Sequence, residues 1–448
     1  MARPTYAISD PLSVPNNSYG IHIIGPEDLE DAARLVNSSG GDWGYVTLVI
    51  QKKERNPLIW QPVFDKMRRL HLIPIIRISS QEQNGGWETL SLDEIDGWVS
   101  FLNSLNWVIK NRYVIIGNEP NHSKEWGGYI DPEGYALYLK TLSQKLKSKS
   151  ADFFILPAGL DASAPNSKDT MDEVLFVKRM LKYDPSTFEY IDGWTSHSYP
   201  QPNFSGSAWA TGRKSIRTFD WELEFLRSMG IKKDLPIFIT ETGWIHSLND
   251  QKDLERISRN YEYAFQGAWK DKRIVAVTPF VLSYPDKPFD IFSWKKGDGS
   301  FYEFYSEVQK LPKATGKPVQ EISGNLLKIF IPYVMKTNQS FHGLILIKNT
   351  GQSIWSGKDI QILTNDNFLE ISPLSFPEIE PGYTKSVFVS GKSPAESGTF
   401  ELEISLSGSN KVISNTAKTK IIVIDIPDIR AIIQRWMKNL FKIGKIES

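Results

Sequence analysis

Residues 113–120 read Tyr113-Val114-Ile115-Ile116-Gly117-Asn118-Glu119-Pro120. The run is apolar and β-branched without alternation, as in a strand buried on both faces of a parallel sheet. A carboxylate follows it almost at once. Residues 237–244 repeat the form: Ile237-Phe238-Ile239-Thr240-Glu241-Thr242-Gly243-Trp244. Similar runs occur at 19–24, 45–50, 73–78, 153–156, 191–197 and 275–282. Helical stretches separate them. Pro26 sits just inside one start, with Glu27, Asp28, Glu30 and Asp31 in the early turns. Asp93, Glu94 and Asp96 open a second, and Pro132 opens a third in which Tyr135, Tyr138, Leu139 and Leu142 fall at helical spacing. Eight such βα units in roughly 290 residues predict an α/β fold, a (β/α)8 TIM barrel. An open doubly wound sheet is the alternative, but the even spacing favours closure.

The same reading divides the chain. Residues 1–17 form an N-terminal extension, 18–312 the barrel, and 313–320 a linker marked by Pro312, Gly316 and Pro318. Residues 321–425 change texture to short strand-like runs separated by turns such as Asn349-Thr350-Gly351 and Pro381-Gly382. They predict a small all-β immunoglobulin-like sandwich, in which Trp355 is expected in the core. Residues 426–448 predict a basic amphipathic C-terminal helix. Ile429, Ile432, Ile433, Trp436, Leu440 and Phe441 make its apolar stripe, flanked by Arg430, Arg435, Lys438, Lys442 and Lys445. Docking on the protein itself is the preferred reading of this tail; an anionic membrane surface is the other.

Composition removes several function classes. Lys plus Arg is 52 and Asp plus Glu is 52, so there is no basic excess for a nucleic-acid partner. Cys is absent, which excludes disulfides and thiolate catalysis. His22, His71, His122, His197, His246 and His342 are scattered without metal-ligand spacing, so no metal or other cofactor is expected. No run of about 18 apolar residues predicts a membrane span. Residues 1–17 lack an apolar h-region, so no signal peptide is read here; an extracellular or cell-envelope location is expected with any export signal absent from this chain. The 14 Trp of a neutral protein suit sugar binding, although most are expected to pack the core.

Barrel active sites lie at the C-terminal ends of the strands. Glu119 and Glu241 end predicted strands four and seven, which face each other across an eight-stranded barrel. Glycoside hydrolysis needs two carboxyl groups flanking the scissile bond. Strand six ends in Trp194-Thr195-Ser196-His197-Ser198-Tyr199-Pro200, strand three near Arg77, and strand one contains His22. Arg77, His197 and Tyr199 beside Glu241 would keep that carboxylate ionised. Asn-Glu-Pro alone is a common tripeptide; the pair of strand endings is the specific signal. Glu82, Glu125 and Asp161 read as solvated loop charges, and Asp192 as structural.

On these motifs residues 18–310 resemble the clan A glycoside hydrolases, which include cellulases, mannanases, xylanases and β-xylosidases. The resemblance implies a retaining hydrolase acting on β-glycosidic bonds of oligo- or polysaccharides. It makes Glu119 the acid/base, Glu241 the nucleophile, and Asn118 the residue holding the sugar 2-hydroxyl. His197 and Tyr199 look like the clan's His-x-Tyr neighbours of the nucleophile, and Arg77 resembles the strand-three Arg of its cellulase-type members. Trp294 is similar to the sugar-stacking Trp after strand eight, and His22 is a further substrate-binding candidate. The alternative is a non-catalytic carbohydrate-binding or surface-interaction protein on the same barrel, which would be expected to have lost one carboxylate.

Overall fold

A computed structural model describes residues 8–83, 85–247, 250–357, 359–365, 370–409 and 411–425, together with 434 and 437. The apolar stripe of the C-terminal tail lies outside these residues. The chain forms two compact units, Met1–Val319 and Gln320–Ser448.

The first unit alternates strand and helix eight times. Its strands are β1 (Gly20–His22), β2 (Gly44–Gln51), β3 (Leu72–Ser79), β4 (Arg112–Ile116), β5 (Phe153–Pro157), β6 (Trp194–His197), β7 (Ile237–Glu241) and β8 (Ile274–Val277). The intervening helices are α1 (Leu29–Val36), α2 (Pro57–Arg69), α3 (Ile95–Ser104), α4 (Pro132–Lys149), α5 (Glu173–Tyr183), α6 (Thr218–Ser228), α7 (Gln251–Gln266) and α8 (Glu303–Lys310). Strands β1 to β5 pair in order, as do β6 to β8, all in parallel. Two parallel bridges, Tyr19 with Val277 and Asp161 with His197, join the two groups into a ring. The helices begin where the sequence supplies caps. Asp131 accepts from the Gly134 N–H with Pro132 behind it, and Asp172 accepts from the Leu175 N–H.

The ring is filled, not hollow. Tyr113 contacts Tyr45 at 6.3 Å, and Phe154 and Phe238 each at 5.1 Å between ring centroids. These rings from β2, β4, β5 and β7 form an apolar floor on which polar groups at the strand ends stand. Residues 313–319, read above as a linker, run back along the N-terminal end of this unit. The Gly316 N–H donates to the Asp42 carbonyl at 2.9 Å, and the Lys317 N–H to the Pro15 carbonyl at 2.8 Å. The Lys313 ammonium donates to the Val308, Gln309 and Leu311 carbonyls, closing the C-terminus of α8.

The second unit is two sheets around one core. Its strands are β9 (Gly324–Phe330), β10 (Val334–Lys336), β11 (Ser340–Asn349), β12 (Ile360–Thr364), β13 (Glu370–Pro373), β14 (Thr384–Lys392), β15 (Gly398–Gly408), β16 (Lys411–Val412) and β17 (Ala417–Ile424). One sheet has the order β9-β11-β14-β13, the other β10-β17-β15-β12, with β16 on β15. Alternate residues such as Ile345, Ile347, Val387, Val389, Leu402 and Ile404 face inward and cover Trp355, which is fully buried. Among the described residues, no helix is long and apolar enough to cross a membrane.

Candidate active site

The C-terminal ends of β3, β4, β6 and β7 gather the predicted polar residues. After β4, Gly117 turns the chain at φ +85° and Glu119 itself holds φ +31°. Such a conformation is costly for a residue with a Cβ and persists only where its surroundings fix it. Here the Glu119 N–H donates to the Gly159 carbonyl at 3.0 Å, tying it to the end of β5. Gly159 also makes room for the next group. A Cβ there would fall 2.2 Å from the His197 ring, so the imidazole occupies space that only glycine leaves free.

His197 Nδ1 lies 2.7 Å from Glu119 Oε1 and 3.8 Å from Glu241 Oε2. Arg77 Nη1 donates to Asn118 Oδ1 at 2.6 Å and also to Glu241 Oε1. The Tyr199 hydroxyl donates to Glu241 Oε2 at 3.2 Å. Thus both Glu241 oxygens are held by donors. A carboxylate oxygen of Glu119, a ring nitrogen of His197 and an oxygen of Glu241 lie within 4.8 Å of one another. The same three groups are close enough to share a metal ion, but the Arg77 guanidinium on Glu241 brings a positive charge to that spot and opposes a cation.

Burial pushes the Glu241 carboxyl up, but the His197 and Arg77 charges and the Arg77 hydrogen bond outweigh it and bring the pKa down to about 2. For His197, burial favours the neutral ring; the Glu241 charge and the Glu119 hydrogen bond outweigh burial and raise the pKa. Burial and the Glu241 charge hold the Tyr199 hydroxyl well above its ordinary value, so it stays a donor. His22 is fully buried, and neither ring nitrogen has a partner among the described residues. Burial and the Arg77 charge lower its pKa to about 3, so its ring is neutral.

Two expectations need correction. Trp294 is fully buried, packed at a tilt on Tyr261 at 4.6 Å and edge-on to Phe304 at 5.2 Å. It is a core residue, not a sugar platform. The aromatic group past the end of β8 is Phe280, half-buried and 5.2 Å from the His22 ring. From it an edge-to-face series continues through Phe292 at 5.8 Å to Phe204 and Tyr199, and through Phe289, 42% exposed. The second correction is Glu125, which is not a solvated loop charge. It lies on the turn Ser123–Glu125 after β4, and its Oε2 accepts from Asn118 Nδ2 at 3.1 Å. Burial, then the Glu119 charge, raises its pKa to about 7. A second acid six residues after Glu119 on one βα loop was the only sequence signal for it. Asp161, also set aside, pairs with His122 at 2.9 Å beside the same loop. Asp192 is structural as expected, pairing with Lys147 at 2.6 Å.

Behind β6, the carboxyls of Glu173 on α5 and Glu222 on α6 are fully buried against each other. Burial raises both above the ordinary carboxyl range.

No protein-family model matches the chain, and no curated protein matches it. Solved structures do. A glucosidase from Croceicoccus marinus is 8% identical over 91% of this chain and 92% of its own, with a TM-score of 0.50. A monomeric β-xylosidase from Caulobacter crescentus is 11% identical over 86% and 98%, with a TM-score of 0.43. A calcium-binding mutant of Bacteroides uniformis β-glucuronidase 2 is 12% identical over 92% of this chain at a TM-score of 0.43; the chain spans 46% of that enzyme's length. At these identities the likeness is one of fold alone.

Proposed function

We propose that the first unit is a retaining glycoside hydrolase that cleaves β-glycosidic bonds in oligo- or polysaccharides. The observation that carries this reading is the unequal treatment of two facing carboxyls. Glu241 is held ionised by Arg77 and Tyr199, while Glu119 leans on His197 with an oxygen within 4.8 Å of the Glu241 carboxylate. Retaining enzymes place their carboxyl groups about 5–5.5 Å apart, and inverting ones about 6.5–9.5 Å.

In this reading a Glu241 oxygen bonds to the anomeric carbon as the bond to the leaving oxygen breaks, and that oxygen takes the Glu119 proton. Water then attacks the same carbon, gives its proton to Glu119, and releases Glu241 as carboxylate. Asn118 holds the 2-hydroxyl. The half-buried Phe280 lines the sugar site, with the fully buried His22 ring packed against it at 5.2 Å. A polysaccharide substrate favours an extracellular or cell-envelope location. The second unit is read as an immunoglobulin-like accessory domain, because its sheet orders match the ABED and CFG arrangement. The competing reading, a non-catalytic sugar-binding barrel, is disfavoured because both carboxyls are in place.

A panel of aryl β-glycosides tests the reading, followed by labelling with a 2-fluoro glycoside. The label should add one sugar to the peptide containing Thr240-Glu241-Thr242. With Glu119→Ala, azide should restore turnover and give the β-glycosyl azide. An inverted first product, or a label on another residue, would sink the assignment.

A further inference from the structure

Asn118 is gripped from two sides, and only one of its partners belongs to the strand-end pattern. An amide side chain has ends of nearly equal shape, so its partners decide which way it points. Arg77 has only donors, so the end it meets must be the oxygen, as found at 2.6 Å. Glu125 meets the other end, accepting one hydrogen of Nδ2 at 3.1 Å. That leaves one Asn118 N–H for a ligand. Glu125 reaches this position because its turn folds back: the Glu125 N–H donates to the His122 carbonyl at 3.1 Å, and the Gly127 N–H to the Trp87 carbonyl at 2.8 Å.

We propose that Glu125 is a positioning residue that fixes the Asn118 amide so that its free N–H meets the hydroxyl on the sugar carbon next to the anomeric centre. The inference rests on the retaining-hydrolase reading and deepens it, since it makes that hydroxyl a requirement of the substrate. The charged groups that face Glu125 are Glu119, Arg77, Glu241 and His122. Burial and the Glu119 charge make Glu125 ionise only near pH 7. An ionised carboxylate is an acceptor at both oxygens and grips an N–H more strongly than the acid does. The Asn118 contact therefore strengthens as pH rises through about 7.

The test is kcat/KM on matched aryl β-glycosides, one with a 2-hydroxyl and one 2-deoxy, from pH 5 to 9. In the wild type the ratio of the two rates should rise severalfold through pH 7. In Glu125→Gln, whose side-chain carbonyl can still accept from Asn118, the ratio should lose that rise. In Glu125→Ala the ratio should fall about tenfold above pH 7, the effect of one misplaced hydrogen bond. Equal losses on both substrates, or a rise that persists in Glu125→Gln, overturns the proposal. Glu119→Ala run alongside separates it from the parent reading. Full activity in Glu119→Ala removes the parent reading, whereas unaltered ratios in Glu125 variants of an enzyme disabled by Glu119→Ala remove only this one.

Discussion

Replacing Arg77 by Met removes the guanidinium that touches the proposed nucleophile. Arg77 and Glu241 are 14% and 11% exposed at their side chains, so little solvent screens the pair. A hydrogen bond to a charged group contributes about 1.5–3 kcal/mol. At about 1.36 kcal/mol per pH unit, its loss lifts the Glu241 carboxyl by about one to two pH units from its present value of about 2. The sign is fixed by the direction of the native perturbation. A carboxyl held below its ordinary value is ionised earlier on the way up from acid, so weakening its partner delays ionisation. The acid limb of kcat/KM on an aryl β-glycoside should therefore move up by that amount. Arg77→Lys, which keeps a charge, should move it less. Stability follows the same sign. The depressed Glu241 stabilises the fold above pH 4.5 and the gain is lost as pH falls toward about 2, so Arg77→Met should flatten that decline. A uniform loss of rate with an unmoved acid limb would show that Arg77 is not the counter-charge.

Other substitutions probe the remaining parts. Trp294→Ala should cost about 3–5 kcal/mol in urea unfolding, the range for emptying a large aromatic site; a loss of sugar affinity with unchanged stability would restore it as a platform. Glu222→Gln should become more stabilising relative to the wild type as pH rises above 4.5, because the folded state holds a proton there that the unfolded chain releases; parallel unfolding midpoints at pH 5 and pH 8 would refute this. A chain ending at Val319, the boundary of the first unit, should keep its rate on small aryl glycosides; total inactivity in a soluble, folded form would show that the second unit completes the site.

The strand endings were legible because buried parallel strands read as unbroken apolar runs, so a carboxylate directly after one is conspicuous. Glu119 and Glu241 stood out for that reason, and their strands supplied the order of the ring. Glu125 did not stand out because its burial comes from a turn folding back over Asn118, a tertiary property invisible in spacing. Trp294 misled for a related reason. The apolar run at 275–282 reads as one strand, but the strand ends at Val277. The chain then bends, with the Leu282 N–H donating to the His22 carbonyl and the Trp294 N–H to the Val281 carbonyl. That path carries Trp294 inward to Tyr261. Likewise the run at 191–197 becomes a strand only from Trp194, because the Asp192 carboxylate accepts from the Ile155 N–H and the Lys147 ammonium.

The hydrogen bond from Lys317 to Pro15 bears on how the first unit can be rewired. It sets the place where the polypeptide joins the ring of eight units beside the place where it leaves, at the end of the strands away from the carboxylates. A ring with adjoining termini has no physically privileged starting point. A few residues could splice 319 back to 8, and new ends could be opened in an exposed connection on that same floor, such as Gly230. Such a circular permutant should keep its two glutamates in register, since neither owes its position to the order in which the strands are synthesised.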